Sequence, residues 1–405
     1  MKVRLDYETV FSILVQFLNI VVPFLILKFN YDINGVSSVV AYEVALSLIA
    51  FFSILINFSS STFLSTALIT KIKPRSAYYT IVKCRFVFWL ISFFILLTLS
   101  FFDSERLEVY ILSSVVLFSI VFELQFYFIS RSRSYIYQLL ILPRTLIPLF
   151  FLFFGFDLLY SISFSYFISI ILQLAVFIIK TDGCFSDSKR FRKAYMSRFR
   201  VNTFSELLSA VFSQLDTFIV SNFLTDTMSI IYITLKKLIR VVMSLLNYVF
   251  RSMYFCYVKF GYNSAEFKGK LLTSNLYIFL AYLAYFFFWD FLVFDLLSIN
   301  EHLDEWSFSV FIFSFVIIFG YVKSLLVHLY LYPNKLFMQN MVFSLIVLLV
   351  YFSVFYVFDV DGDVYFTILN RVMVDFLYIV LCLLFMKLSL SKCVLVTLNR
   401  KIKKL

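Results

Sequence analysis

The chain has 405 residues, of which 62% are hydrophobic, 21% aromatic and only 15% charged. A soluble domain carries about 25% charged residues, so this composition excludes a soluble enzyme, a disordered chain and a secreted disulfide scaffold. The formal net charge of +11 fits the excess of Lys and Arg on the cytoplasmic side of membrane proteins. Together these values predict an all-α polytopic membrane protein.

Apolar segments long enough to cross a bilayer follow one another along almost the whole chain. A span needs about 20 mostly apolar residues, and charged or turn-forming breaks delimit about twelve such spans. The first apolar stretch lacks a small-residue cleavage site, which predicts a retained span rather than a cleaved signal. The predicted spans lie near residues 9–29, 36–66, 79–101, 107–130, 134–154, 158–180, 200–222, 227–257, 270–294, 306–331, 336–358 and 364–388.

The loops between these spans alternate in charge. One side is basic, for example at 71–75 and 131–133, whereas the other is acidic, for example at 103–108 and 359–363. One miscounted span would disturb this alternation, so loop charge supports the span count. Because Lys and Arg gather on the cytoplasmic side, the pattern places both termini in the cytoplasm.

A long basic loop divides the spans into two halves of about six each. Equal halves would have the same orientation, as in a parallel internal repeat. The predicted domains are an N-terminal six-helix bundle at 1–180, a basic cytoplasmic linker at 181–199, a C-terminal six-helix bundle at 200–388 and a basic cytoplasmic tail at 389–405.

The eighth predicted span has a cationic face whose members follow one another at helical intervals of three and four. A charge at the centre of a span costs about 2.5–3.5 kcal/mol, so such residues usually face a cavity or a partner. This face would suit an anionic substrate such as a phosphate or a uronic acid. Buried ion pairs with a snorkelling arginine at the membrane edge are the alternative explanation. The predicted substrate-binding residues are Lys236, Lys237, Arg240, Asn247 and Arg251.

Acidic and amide side chains in three other spans are candidates for coupling and for lining a cavity. Glu43, Glu206 and Asp216 would carry a coupling proton or sodium ion, or else only balance the cations of span eight. Gln16 and Asn19 lie on one polar face of the first span, because residues at positions i and i+3 share a face of a helix. We predict that these two residues line the same central cavity.

Other charges within spans favour structural roles. Arg371 and Asp375 are four residues apart and are predicted to pair on one helix face. Pro143 is predicted to kink the fifth span beside Arg144, and for Arg144 both a functional and a structural role stay open. Lys323 is predicted to lie at the membrane interface.

The sequence contains no motif of known catalytic chemistry. A nucleotide-binding loop, a GxSxG elbow, an HExxH zinc motif and a dinucleotide fingerprint are all absent. The five scattered cysteines and two histidines favour neither a disulfide framework nor a metal site. We therefore expect a transporter rather than an enzyme, without a metal or an organic cofactor.

The chain resembles the polysaccharide flippases of the MOP superfamily over most of its length, and most closely the O-antigen flippases of the Wzx type. The resemblance is carried by Ser213-Gln214-Leu215-Asp216, by the segment from Tyr232 to Lys237, and by Pro143-Arg144-Thr145 in span five. The family often has Gly before that Tyr, where this chain has Ile231. Its aromatic-Gln-Gly pattern after span four is altered here to Gln125-Phe126-Tyr127.

This resemblance implies a substrate and a mechanism. The substrate would be an oligosaccharide on an undecaprenyl diphosphate carrier, moved across the bacterial inner membrane by alternating access without ATP hydrolysis by this chain. Partners would be a glycan polymerase and a chain-length regulator. Nucleic acid is not expected as a partner.

Three other classes compete with the flippase hypothesis. An O-antigen polymerase would have a large outer loop with arginines, whereas the outer loops here are short and acidic. A multidrug exporter of the same superfamily would favour an apolar cavity with few cations. A major-facilitator carrier would have a basic, Gly-containing motif between spans two and three, and residues 71–76 lack it.

Overall fold

The structure is a computed structural model. In the residues that it describes, all regular secondary structure is helical. This confirms the predicted all-α fold class. The chain divides into two compact units, Met1–Asn222 and Phe223–Leu405. The described residues are 7–57, 74–130, 134–181, parts of 207–243 and of 269–286, most of 303–331, 337–357 and 364–402.

The described part of the N-terminal unit consists of helices of very different lengths. Local signals explain several boundaries: the Asp157 carboxylate accepts a hydrogen bond from the amide of Leu159 at 2.7 Å, which caps a helix start. Pro143 begins another helix, where its missing N–H costs nothing. The helices are α1 (Tyr7–Asn57), α2 (Pro74–Phe102), α3 (Leu107–Val121), α4 (Gln125–Ser130), α5 (Ser134–Ile141), α6 (Pro143–Phe153), α7 (Leu158–Lys180) and α8 (Asp216–Val220), with a 3₁₀ turn at Ser104–Arg106.

The described part of the C-terminal unit contains three long helices, a shorter helical segment at 228–240 and further helical residues within 269–286. The long helices are α9 (Leu303–Leu326), α10 (Phe337–Val357) and α11 (Val364–Ile402). Both α9 and α10 pack against α11. The predicted tail at 389–405 therefore continues α11 as far as Ile402.

Helix α2 is polar inside and apolar outside. Ser76, Thr80 and Arg85 are buried, whereas Phe94 and Phe101 are exposed. A helix in water would show the opposite arrangement, because apolar side chains leave water when a protein folds. Exposed apolar side chains on α2 therefore face hydrocarbon.

Helices suited to crossing a membrane occur in both units. By length and hydropathy there are five among the described residues, together with two shorter apolar helices at Val310–Leu326 and Met338–Val354. The chain is therefore a multi-pass membrane protein. The count of about twelve spans stays a prediction, because several predicted spans lie partly outside the described residues. The five helices are Val21–Asn57, Pro74–Phe102, Ile136–Phe153, Leu158–Lys180 and Phe366–Lys387.

Helix α1 kinks at Gly35, between the first and second predicted spans. Gly35 has φ 79° and ψ −178°, a backbone region that is essentially restricted to glycine. A Cβ atom at this position would meet no neighbour within 4 Å. The requirement for glycine is therefore conformational and not steric.

We expect Gly35→Ala to lower the free energy of unfolding by about 1–3 kcal/mol, because alanine is strained at this φ and ψ. Gly269→Ala is the matched control, since Gly269 also has no neighbour within 4 Å of an added Cβ and lies outside the positive-φ region. Denaturant unfolding in detergent micelles measures both changes. Equal stability of the two variants would contradict the argument.

Contacts in the N-terminal unit join the ends of different spans that were predicted to lie on the same side of the membrane. On the predicted outer side, Arg106 Nη1 donates to Asn222 Oδ1 at 2.7 Å, and the rings of Phe29 and Phe153 lie 4.9 Å apart. On the predicted cytoplasmic side, Arg75 Nη2 donates to the Ile178 carbonyl at 3.0 Å. These contacts agree with the alternation inferred from loop charge.

The two compact units separate after Asn222, and α8 contacts α1. The predicted linker at 181–199 lies outside the described residues apart from Thr181. The bundle boundaries at 1–180 and 200–388 stay predictions.

Candidate functional site

The predicted cationic face begins on the helical segment 228–240 of the C-terminal unit. Lys236 and Lys237 are half-buried there and Arg240 is exposed. The preceding residues are almost completely buried, including Tyr232 and Leu235. Leu238 and Ile239, between the cations, are buried as well, so the three cations lie on the more accessible side of this segment. Asn247 and Arg251, predicted to continue this face, lie outside the described residues.

Two of the three predicted coupling acids lie on adjoining segments of the N-terminal unit. Glu43 and Asp216 are both buried. Helices α1 and α8 contact each other, and the Ser47 hydroxyl donates a hydrogen bond to the Gln214 carbonyl. Glu43 is one helical turn before Ser47, and Asp216 follows Gln214 by two residues. Glu206 and the side chains of Gln16 and Asn19 lie outside the described residues.

A group of buried polar side chains that we name the buried charged cluster surrounds Glu123 in the N-terminal unit. Arg144 Nη1 lies 2.8 Å from Glu123 Oε1, and the Tyr137 hydroxyl donates to the same oxygen at 2.8 Å. Asn57 Nδ2 lies 3.5 Å from Glu123 Oε2. The cluster consists of Glu123, Arg144, Tyr137, Asn57 and Arg85.

Glu123 lies at a break in predicted span four, which comprises two helices, α3 and α4. Residues 122–124 between them are not α-helical. Arg85 Nη1 donates to the Glu123 carbonyl at 2.6 Å and to the Val121 carbonyl at 3.4 Å. The amide of Leu124 donates to Gln173 Oε1 at 3.0 Å. Side chains of α2 and α7 thus satisfy backbone groups that the break releases, as a span in hydrocarbon requires.

Predicted span five is divided between α5 and α6 at Leu142, whose backbone keeps α-helical dihedrals (φ −51°, ψ −36°). The kink expected at Pro143 therefore stays a prediction. The proline has no N–H to continue the helical ladder. The Ser169 hydroxyl donates to the Leu140 carbonyl at 2.8 Å, and Arg144 Nε donates to Ser169 Oγ at 3.2 Å. Arg144 therefore links this junction to Glu123 at the break in predicted span four.

The buried charged cluster holds an excess of one formal positive charge among the described residues, because Arg85 and Arg144 face a single carboxylate. Arg144 also lies over the Tyr166 ring, 4.4 Å from its centroid. Its Nη2 atom is buried and has no hydrogen-bond partner within the described part of the chain. Ionisable groups within a membrane span usually mark functional positions, and here they also stabilise the break in predicted span four.

The C-terminal unit contains a second buried acid with two cationic partners. Asp375 lies 3.5 Å from Arg371 Nη2, which confirms the predicted pair. Lys323 Nζ also lies 3.1 Å from Asp375 and 4.7 Å from the centroid of the Tyr378 ring. The prediction that Lys323 lies at the interface did not include this carboxylate, because Asp375 lies on another helix.

Sequence reasoning missed Glu123 and Arg85 as site residues. The signal was available, because both are charged residues within predicted spans, at 107–130 and 79–101. Their partners were not foreseeable, since Arg144 and Asn57, which contact Glu123, belong to two other helices. Arg85 binds carbonyl groups at the break between α3 and α4.

Solved transporters share the fold described above. An inward-facing multidrug resistance MATE family transporter of the MOP superfamily matches with a TM-score of 0.61 and 11% identity, over 97% of this chain and 96% of that chain. The lipid II flippase MurJ in an inward closed conformation matches with a TM-score of 0.62 and 12% identity, over 94% and 87%. An outward-facing MATE family transporter gives 0.57 and 12%, over 96% and 97%. No protein-family model and no curated protein sequence matches the chain.

At identities this low, the likeness shows the fold alone. The chain has the helical fold of MOP-type transporters, as the sequence predicted. The solved structures compared above are those of multidrug resistance MATE family transporters and of the lipid II flippase MurJ.

Proposed function

We propose that this chain is a flippase for an oligosaccharide linked to undecaprenyl diphosphate, such as an O-antigen repeat unit, in the bacterial inner membrane. The observation that carries the proposal is the cationic helix face at Lys236, Lys237 and Arg240 in a MOP-type fold. The fold is shared with the lipid II flippase MurJ.

The physical argument starts from the substrate. A diphosphate with attached sugars is charged and polar, so hydrocarbon is a prohibitive barrier to it. Half-buried cations replace part of the hydration of the phosphates, while the lipid tail stays in the bilayer. Arg240 suits this role because its guanidinium presents a planar fork to phosphate oxygens.

The same proposal includes the coupling of substrate transport to an ion. Glu43, Glu206 and Asp216 are our candidates for binding a proton or sodium ion, or for balancing the substrate-binding cations. Both termini would face the cytoplasm. A glycan polymerase and a chain-length regulator would act on the product outside, and no cofactor is expected.

A deletion strain tests the flippase directly. We expect loss of surface glycan on a gel, together with accumulation of single lipid-linked repeat units inside the membrane. Complementation by the wild-type chain should reverse both changes. Single repeats that reach the surface without polymerising would instead identify a polymerase and contradict the flippase.

A multidrug exporter is the second candidate, because MATE family transporters share the fold over nearly the whole chain. The same deletion strain separates the two functions. Greater sensitivity to cationic drugs with an unchanged surface glycan would support the exporter. Unchanged drug sensitivity with loss of glycan would support the flippase.

A further inference from the structure

The predicted outer turn between α2 and α3 carries one basic residue, Arg106, among acidic neighbours at 103–108. Its guanidinium contacts the C-terminal end of α8. Nη1 donates to Asn222 Oδ1 at 2.7 Å and to Ser221 Oγ at 3.3 Å, and Nη2 donates to the Ser221 carbonyl at 3.0 Å. A cation is favoured there because the carbonyl groups at a helix C-terminus lack helical partners. We name these three hydrogen bonds the outer latch.

Two further contacts attach α8 to the N-terminal unit. The ring of Phe218 lies 6.4 Å from that of Tyr110 in α3, at an interplanar angle of 75°. Just before α8, the Gln214 carbonyl accepts a hydrogen bond from the Ser47 hydroxyl of α1. The outer end of α8 is therefore held against α1 and α3.

Both sides of the outer latch also have partners of their own. On the turn, the Asp103 carboxylate lies 3.9 Å from Arg106 Nε. On α8, the Ser221 hydroxyl and the Asn222 amide both donate to the Phe218 carbonyl at 2.9 Å, which caps the helix end. The Arg106 side chain is 22% exposed, so water reaches it already. Separation of the two sides thus leaves each with polar partners.

The chain leaves the N-terminal unit directly after the outer latch. That unit ends at Asn222, and the helical segment that carries the proposed cationic site begins at 228. The sequence assigns span seven, and with it α8, to the predicted C-terminal bundle at 200–388, whereas α8 packs here on α1 and α3. A segment with these two attachments can change its packing partners during transport.

We propose that the outer end of α8 separates from α1 and α3 when the protein opens on the predicted outer side, and that Arg106 holds it in place in the closed state. Alternating access requires a route on this side that opens and closes. On opening, the guanidinium exchanges its bonds to α8 for Asp103 and water. The inference rests on the proposed transport by alternating access, and not on the identity of the substrate.

Distances between two spin labels test this motion without any substrate. The full chain, with its five native cysteines replaced by alanine, carries the labels at Glu105→Cys and Phe223→Cys, two exposed positions on either side of the outer latch. Pulsed EPR in lipid nanodiscs measures the distance distribution. We expect Arg106→Ala to raise the ratio of long- to short-distance molecules by at least about tenfold, because a hydrogen bond to a charged group changes an equilibrium by at least that factor. An unchanged distribution would overturn the proposal.

Lys28→Ala is the matched control for Arg106→Ala. Lys28 is also 22% exposed, but it pairs at 3.2 Å with Asp32 of its own helix, so its loss should leave the distribution unchanged. An equal effect of the two variants would mean a general loosening and would overturn the latch. Asn222→Ala keeps the proposal testable should Arg106→Ala fail to fold, because Asn222 is exposed and accepts the 2.7 Å bond. It should raise the same ratio, and no increase would contradict the latch.

A reversible cross-link tests whether transport needs this opening. In the same cysteine-free chain, Tyr110→Cys with Phe218→Cys is joined by a short bifunctional thiol reagent that reductant cleaves. We expect glycan export to fall by at least about tenfold when the link is closed and to recover after reduction. The control pair, Phe151→Cys with Phe164→Cys, joins α6 to α7, where the two rings lie 5.4 Å apart, and should export normally.

Normal export by the linked Tyr110 pair would overturn the proposal, because α8 would then stay on α3 throughout transport. The two measurements also separate this inference from the flippase hypothesis. Should the deletion strain contradict the flippase, the spin-label distances still decide whether the latch opens, since they need no substrate.

Discussion

Glu123→Ala is expected to lower the free energy of unfolding by about 3–5 kcal/mol, the usual cost of removing one partner of a buried ion pair. The carboxylate is buried, with 5% of its side-chain surface exposed. Its loss leaves the guanidinium groups of Arg85 and Arg144 without the acid that faces them. Unfolding in mixed micelles by increasing the SDS fraction measures the change.

Asp32→Ala is the control for this prediction. Asp32 also pairs with a cation, Lys28, at 3.2 Å, but its side chain is 43% exposed. A surface pair of this kind contributes about 0–1 kcal/mol. Equal losses for the two variants would mean that the buried charged cluster does not stabilise the unit. Replacing Arg144 by Met together with Glu123 by Leu should recover part of the loss, because the substitutions remove both charges of the pair.

Arg240→Ala is expected to reduce glycan export by about 10- to 100-fold, because hydrogen bonds to charged groups contribute about 1.5–3 kcal/mol each. The amount of folded protein in the membrane should stay unchanged, since Arg240 is exposed and exposed positions have small effects on stability. The rate of surface glycan synthesis after induction in the deletion strain measures export. Immunoblotting of membranes measures the protein.

Two further variants decide what Arg240 contributes. Arg240→Lys keeps the charge and loses the planar fork, so it should retain part of the export rate. Lys180→Ala removes another exposed cation, at the end of α7, and should have no effect. Normal export by Arg240→Ala would contradict the proposed cationic site, whereas loss of export in Lys180→Ala would mean that the effect is not specific to the site.

These two predictions test separate properties in separate units. The Glu123 variant tests what stabilises the N-terminal unit, and the Arg240 variant tests the proposed contact with substrate. A loss of export in Glu123→Ala together with a loss of folded protein would be a stability effect.

Features that depend on neighbouring residues were predictable from sequence. The apolar composition predicted a helical membrane protein, because hydrocarbon requires each span to satisfy its own backbone groups. Pro143 begins α6 because its fixed φ and missing N–H suit the first position of a helix. Arg371 and Asp375 pair because four residues bring them onto one helix face. In each case the physical cause acts within a few residues of the chain.

Features that depend on packing were decided only by the tertiary structure. A charged residue within a span indicates a polar face, but not the helix that this face meets. Glu123 therefore could not be matched with Arg144 and Asn57, nor Arg85 with the carbonyls that a break in another helix releases. The pairing of Lys323 with Asp375 was missed because the two residues are 52 residues apart in the chain. Helical periodicity is a local property, whereas the partners of buried charges are set by which spans pack together.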